Sequence, residues 1–330
     1  MKDILTTIYE SNALVITAPP GWGKTYKLLE GIALSGKKVI FIFPLRALCD
    51  EVHESSVKFG IDALNIKRRS DLVQLNKKIP QLIVSTPELI ENYEEHFQDY
   101  IFILDEFHLF YYWGDSFRPK MINVFRNIIS TQSPIILLTA TLKIDLKVRA
   151  SQDLGNHYCD IYHIDFGNQK LKNSPSNKLF YLKSMKNLMD LDMKVAKKGT
   201  SLIFCKYRKE VGIRAKELRD SGYKVLSCVG GEASKFVEQL NSTTSIDYIV
   251  ATSVVSHGVN LPKISHIYFT YEVDNIDFYL QMVGRGGRDG SSFTIHTFNT
   301  DYFPRMDLLK GLLMIYLKSF RNKMISLLYW

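Results

Sequence analysis

The sequence predicts an α/β fold class with two consecutive domains, each built on a parallel sheet. Three observations lead there. Short apolar runs rich in β-branched and aromatic residues recur along the chain, each followed by turn residues and a helix-like segment. Near-continuous runs of this kind are what strands buried on both faces look like, and their alternation with helices implies parallel pairing through right-handed crossovers. The length of 330 residues suits two domains, each able to bury a sizeable core. One polar stretch, "GNQKLKNSPSNK" (167–178), holds Pro175, has little periodicity and divides the series in two.

The first series of strands is "ALVIT" (13–17), "KVIFIF" (38–43), "QLIVS" (81–85), "YIFIL" (100–104) and "IILLT" (135–139). The second is "KLFYL" (178–182), "SLIFC" (201–205), "KVLS" (224–227), "YIVAT" (248–252), "HIYFTY" (266–271) and "FTIHT" (293–297). This organisation gives a first domain over 1–166, a linker over 167–178, a second domain over 179–300 and a tail over 301–330. The tail reads as an amphipathic helix. It is expected to pack on the core, the sharper alternative being a partner-binding helix over 306–330.

Hydrophobic content of 46% and charged content of 23% are ordinary for a globular protein. The net charge of +8 leans towards a polyanionic partner. The four cysteines, Cys49, Cys159, Cys205 and Cys228, are far apart and follow no metal-ligand spacing, so neither zinc nor an iron–sulfur cluster is expected. The N-terminus carries Asp3 and Glu10 and has no apolar core like that of a signal peptide. The apolar stretch "GLLMIYL" near the C-terminus is far too short for a membrane span, and a cytoplasmic location is expected.

Chemistry concentrates in three places. "APPGWGKT" (18–25) follows the first strand and precedes a helix, and fits the P-loop pattern with Ala18 at the first glycine position. Ala18, Pro19, Pro20, Gly21, Trp22, Gly23, Lys24 and Thr25 are the candidate ATP-binding residues. Gly21 and Gly23 allow the turn that faces backbone N–H groups towards phosphate, Lys24 reaches the β- and γ-phosphates, and the Thr25 hydroxyl binds Mg²⁺. Trp22 is most simply a packing residue. "YIFILDEFH" ends a strand in Asp105 and Glu106. Paired acids after a strand are usually a solvated turn. Downstream of a P-loop, Asp105 is expected to hold Mg²⁺ through its water shell and Glu106 to orient or deprotonate the attacking water. The third place is "QMVGRGGRDG" (281–290), where Arg285 and Arg288 lie about one turn apart among glycines, with Gln281 before them. Arginine forks suit phosphate better than other side chains do.

These three motifs in this order resemble motifs I, II and VI of the superfamily 2 helicases of the DExH class. The intermediate motifs are similar too: "FPLRALCDE" (43–51) to Ia, "STPELI" (85–90) to Ib, "TAT" (139–141) to III, "SLIFCKYRKEVG" (201–212) to IV and "ATSVVSHGVNLP" (251–262) to V. The phrases "PLRAL", "GVNLP" and "QMVGRGGR" most resemble the Hjm-type archaeal repair helicases, and the likeness runs from about residue 14 to 290. The resemblance implies two RecA-like domains with ATP and Mg²⁺ in the cleft between them. It implies that Arg285 and Arg288 act as arginine fingers on the γ-phosphate and that Gln281 positions the water or the fingers. His108, Thr139, Thr141, Gly258 and Asn260 would couple the sites. Arg46, Thr86, Lys206 and Thr252 would contact the backbone of single-stranded DNA or RNA, or of a forked duplex. The implied activity is a nucleic-acid-stimulated ATPase that translocates and unwinds, with a non-catalytic ATP-gated clamp as the alternative.

The sequence departs from the family in two respects. No glutamine precedes Gln74, so no adenine-reading Q motif is recognisable. Only eighteen residues separate "GVNLP" from "QMVGRGGR", which leaves room for a strand and a helix but hardly for a strand-splitting hairpin.

Overall fold

A computed structural model describes residues 5, 8, 12–76, 78–195, 197–256, 259–301 and 304–328, with the side chains of 76 and 318–328 outside that description. Gly258, expected to couple the sites, lies outside the described residues. The chain divides into two compact units, Met1–Lys170 and Leu171–Trp330.

Among the described residues, the first unit holds seven parallel strands: β1 Asn12–Thr17, β2 Val39–Ile42, β3 Ala63–Asn65, β4 Leu82–Ser85, β5 Ile101–Leu104, β6 Ile135–Thr139 and β7 Asp160–Asp165. Their order in the sheet is β3-β4-β2-β5-β6-β1-β7, and every adjacent pair is parallel. The central strands β2, β4, β5 and β6 are buried throughout because both faces are covered, which is why they read as unbroken apolar runs. The helices are α1 Lys24–Ser35, α2 Arg46–Lys58, α3 Pro87–Ile90, α4 His108–Tyr112, α5 Pro119–Ser130 and α6 Ile144–Gly155.

Two strands go beyond the sequence reading. β3 spans three residues, all of them half-buried, at one edge of the sheet. β7, "DIYHID", lies at the other edge beside β1, with each residue exposed or half-buried. An edge strand has no second neighbour to bury it, so neither carries an apolar run.

The second unit holds β8 Asn177–Phe180, β9 Thr200–Phe204, β10 Val225–Cys228, β11 Tyr248–Ala251, β12 Ile264–Phe269 and β13 Thr294–Thr297, in the all-parallel order β10-β11-β9-β12-β13-β8. Its helices are α7 Lys186–Lys194, α8 Arg208–Asp220, α9 Ala233–Ser242, α10 Ile276–Val283 and α11 Arg305–Leu328. The segment between "GVNLP" and "QMVGRGGR" is occupied by β12 and α10. The tail helix α11 lies on the edge strand β8. Asp307 pairs with Lys178 at 2.6 Å and Ile315 is buried. A Cβ at Gly311 would stand 2.5 Å from the Lys178 carbonyl oxygen, so this close approach needs glycine.

Candidate functional site

In parallel sheets the loops at the C-terminal strand ends form one edge, where ligands are held. In the first unit β6 lies between β1 and β5. The P-loop after β1, the "TAT" loop after β6 and "DEFH" after β5 are therefore neighbours. The Ala18 N–H donates to the Thr139 carbonyl at 3.1 Å, and the Phe107 N–H donates to the Leu138 carbonyl at 2.9 Å.

The P-loop turns through Gly21 at φ 74° and Gly23 at φ 91°. Around Gly23 an added Cβ would meet nothing within 4 Å, so backbone conformation, not space, calls for glycine there. Gly23 stands at the N-terminus of α1 without a side-chain cap, which leaves that end's N–H groups available to an anion. Lys24 is buried and its ammonium donates to the Ala18 carbonyl at 3.0 Å. Thr25 is half-buried beside it. The Trp22 ring stacks on Phe166 with centroids 4.6 Å apart, and the Lys27 Nζ lies 4.9 Å from the Trp22 ring centroid.

Asp105 follows β5 and is only 6% exposed. Burial first, then the neighbouring Glu106 charge, pushes its carboxyl up to about 7, while the Lys24 ammonium and the Glu106 N–H act in the other direction. A buried carboxylate held near one lysine is what a divalent cation would relieve, so these residues fit Mg²⁺. Glu106 adopts φ 47°, a left-handed conformation rare outside glycine and asparagine, and its N–H donates to Asp105 Oδ1 at 2.9 Å.

His108 is fully buried, and its Nδ1 lies 2.8 Å from Thr139 Oγ1 and 3.6 Å from Glu106 Oε2. The Thr139 hydroxyl donates its single hydrogen to the Thr141 carbonyl at 2.7 Å. It therefore accepts from His108, and Nδ1 carries the proton. The same oxygen accepts the Thr141 N–H at 3.1 Å. The buried Thr141 hydroxyl has no partner among the described residues. The structure thus joins Glu106, His108, Thr139 and Thr141 in one polar chain.

On the same edge, Arg46 is exposed at the start of α2 and Thr86 is buried at the N-cap of α3. The sequence reading missed Arg118. Its guanidinium donates to the Pro44 carbonyl at 2.6 Å and to Glu88 Oε1 at 2.6–2.8 Å, tying the chain just before α2 to the short helix α3. Trp113 lies under Arg118, 5.4 Å from ring centroid to guanidinium carbon, and beside Phe117, which is 67% exposed. The available signal was "WGDSFRP" (113–119), two aromatics and an arginine shortly after "DEFH".

In the second unit, Lys206 is exposed, Thr252 half-buried and Asn260 exposed. Gln281 is buried on α10. Arg285 departs from the expected free fork. It is 5% exposed, and its guanidinium donates to the Val259 carbonyl at 2.7 Å and to the Ser256 carbonyl. These acceptors flank Gly258 in the chain, so Arg285 here holds its own unit's loop together. Arg288 is half-buried, with Nε 3.4 Å from the Gly284 carbonyl. The glycines between the two arginines are steric: a Cβ at Gly286 would meet the Phe293 ring at 2.2 Å.

A P-loop and an acidic pair at the ends of two strands separated by one in the same parallel sheet, followed by a second parallel-sheet unit with an arginine-bearing turn, mark a two-domain P-loop protein. Comparison with known proteins makes this specific. The DEAD/DEAH box helicase family matches residues 2–147, and the helicase conserved C-terminal domain matches residues 183–290. Between them they span most of the chain, which belongs to the superfamily 2 helicases. It is 26% identical over 305 residues to the RecQ-like DNA helicase BLM of Xenopus laevis, covering 84% of this chain and 22% of that protein. It is 23% identical over 319 residues to the DEAD-box ATP-dependent RNA helicase RhpA of Helicobacter pylori, covering 87% of this chain and 61% of that protein. In fold it is similar to S. cerevisiae Dbp5 bound to RNA and ADP BeF3, with a TM-score of 0.69 at 16% identity, over 92% of this chain and 82% of that one. The fold is thus two tandem RecA-like domains. No helix among the described residues is long and apolar enough to cross a membrane.

Proposed function

We propose that this chain is a nucleic-acid-stimulated ATPase that moves on a single strand of DNA or RNA and separates or remodels duplexes. The observation that carries the proposal is the edge formed by β1, β6 and β5, where Lys24 and the buried Asp105 act on each other electrostatically and Glu106 joins His108 and Thr139. Lys24 and the α1 N-terminus hold the nucleotide phosphates, with Thr25 and Asp105 on the metal side. A Mg²⁺ ion held by these residues would neutralise charge developing on the phosphates. Glu106 orients and deprotonates the attacking water, and His108 with Thr139 fixes where Glu106 points. Arg288, on the second unit, supplies charge to the γ-phosphate when ATP is engaged, while Gln281 and Arg285 keep its loop in place.

Arg46, Thr86, Lys206 and Thr252 are proposed backbone contacts, with Asn260 and Thr141 coupling the sites. The exposed Phe117 beside Arg118 supports base stacking on the same face, since base–aromatic stacking is tolerant of sequence. The Hjm-type assignment rests on "PLRAL", "GVNLP" and "QMVGRGGR". The relatives named above are RecQ-like and DEAD-box, and the core common to them carries the reading.

Phosphate release measured with no nucleic acid, with single-stranded DNA and with single-stranded RNA tests the proposal. Stimulation of about ten-fold or more by at least one strand is expected. Nucleotide-dependent strand binding with no turnover would replace the motor with an ATP-gated clamp.

A further inference from the structure

The segment after β7 makes an unusual set of bonds to the nucleotide edge. Asp165 Oδ1 accepts from Thr17 Oγ1 at 2.9 Å, from the Gly167 N–H at 2.7 Å and from the Asn168 N–H at 2.6 Å. The Phe166 N–H donates to the Thr17 carbonyl at 2.8 Å, and the Phe166 ring stacks on Trp22 of the P-loop. Gly167 has φ 132°, a conformation that side-chain-bearing residues rarely adopt, and a Cβ there would crowd Pro19 Cγ at 3.1 Å, so glycine is favoured where the chain passes the P-loop.

Asn168 then grips the loop after β6. Its Oδ1 accepts the Leu142 N–H at 2.8 Å, and its Nδ2 donates to the Leu142 carbonyl at 2.9 Å. The Gln169 N–H reaches the Ala140 carbonyl at 3.3 Å. A side-chain amide offers an acceptor and a donor on one short stem, and so pairs with both backbone groups of Leu142; a carboxylate cannot.

One short stretch therefore bonds to Thr17, packs on Pro19 and Trp22 of the P-loop, and bonds to Ala140 and Leu142 of the "TAT" loop. At its end, Leu171, the second unit begins. It also lies between the stretches matched by the two helicase families, residues 2–147 and 183–290.

We propose that residues 165–169 are a strap that senses the P-loop and the "TAT" loop together and passes their state to the chain entering the second unit. Asn168 is its chief positioning residue. The proposal rests on the reading of the first unit's edge as an ATP site. Coupling of this kind is reciprocal: what the nucleotide does to the strap, the strap does to the nucleotide site.

Amide hydrogen exchange of the full chain, with and without Mg²⁺ and a non-hydrolysable ATP analogue, tests it directly. In the wild type, nucleotide should slow exchange at 140–142 and 166–169 by about ten-fold or more, alongside the P-loop amides. In Asn168→Ala the P-loop amides should still be protected, while the effect at 166–169 is lost. Asn168→Asp keeps the shape but replaces the donor with a charged acceptor facing the Leu142 carbonyl, so it breaks the same bond and carries the test should the alanine variant fold poorly. Wild-type protection confined to the P-loop would overturn the proposal, as would full nucleotide-dependent protection of 166–169 in either variant.

Turnover gives a second arm. Asn168→Ala should weaken nucleotide binding by up to about ten-fold, as reciprocity requires, and at saturating nucleotide should still lose about ten-fold in stimulation by single strand. A proportional loss of basal and stimulated rates would mean a merely structural role. If the wild type shows no stimulation, the motor reading fails, and the exchange arm still decides the strap. If no nucleotide protects the P-loop, the ATP site and the strap fall together.

Discussion

Asp105→Asn should make the protein more stable at pH 8, not less. The wild-type carboxyl is 6% exposed and is held at about 7, against an ordinary 3.8. Burial is the larger cause and Glu106 the smaller. A group whose folded pKa is raised contributes stability that is fully present below 3.8 and is lost as pH rises through about 7. At pH 8 the ionised, desolvated carboxylate therefore works against folding.

The full displacement corresponds to at most about 4 kcal/mol. Part of it belongs to the pair with Glu106, and Lys24 offsets some, so about 2 kcal/mol is the expected gain for the neutral isostere. Asparagine Oδ1 can still accept the Glu106 N–H, so the turn is retained. In a chain of this size the gain corresponds to roughly 4–8 °C in Tm for the first unit. Urea unfolding followed by the fluorescence of Trp22 and Trp113 at pH 5 and pH 8 checks it. The variant's advantage should be clear at pH 8 and shrink towards pH 5. Mg²⁺–ATP should stabilise the wild type and help the variant far less. A destabilised variant at pH 8, or an advantage independent of pH, refutes the idea that Asp105 is a metal-side carboxylate maintained at a cost in stability.

Other substitutions separate the proposed roles. Lys24→Ala should abolish nucleotide binding in an equilibrium titration, whereas Glu106→Gln should bind nucleotide and lose about 10²–10⁴ in turnover. Arg285→Ala leaves the buried carbonyls of Ser256 and Val259 without their donor and should cost about 2–4 kcal/mol in the second unit's unfolding free energy, read by chemical denaturation. Arg46→Ala should weaken strand binding about equally across sequences and lower the slope of log affinity against log salt by about one; an unchanged slope argues against a phosphate contact.

The central strands were legible because burial on both faces leaves an unmistakable run, as in "VIFI" of β2 and "IILLT" of β6. β3 and β7 were not, because β3 is only three residues long and β7 mixes polar and apolar residues along an exposed edge. The turn after β1 and the strand end before "DEFH" could be placed because each is set by a few consecutive residues. Arg285 could not, because its acceptors lie 26 and 29 residues earlier in the chain and only the fold brings them to its guanidinium. Asn168 fell within a stretch read only as a polar linker, and Asp165 just before it carried no motif. Their meaning comes from Thr17, 148 residues away, and Leu142, 26 residues away. The tail was legible as a helix. Its seat on β8 depends on Gly311, whose missing side chain gives no signal in an apolar pattern.

The central claim, that Arg288 acts on the transferring phosphate of ATP, is tested most directly by single-turnover hydrolysis with saturating single strand, measured beside equilibrium nucleotide binding for the wild type and Arg288→Ala. An arginine that meets charge only as it develops contributes little to ground-state binding and much to the transition state. The account predicts ATP affinity within a few fold of wild type and a hydrolysis rate lower by about 10³ or more, with Arg288→Lys nearly as impaired. Hydrolysis by Arg288→Ala at a near-normal rate would contradict it and leave "GRGGR" as a basic turn.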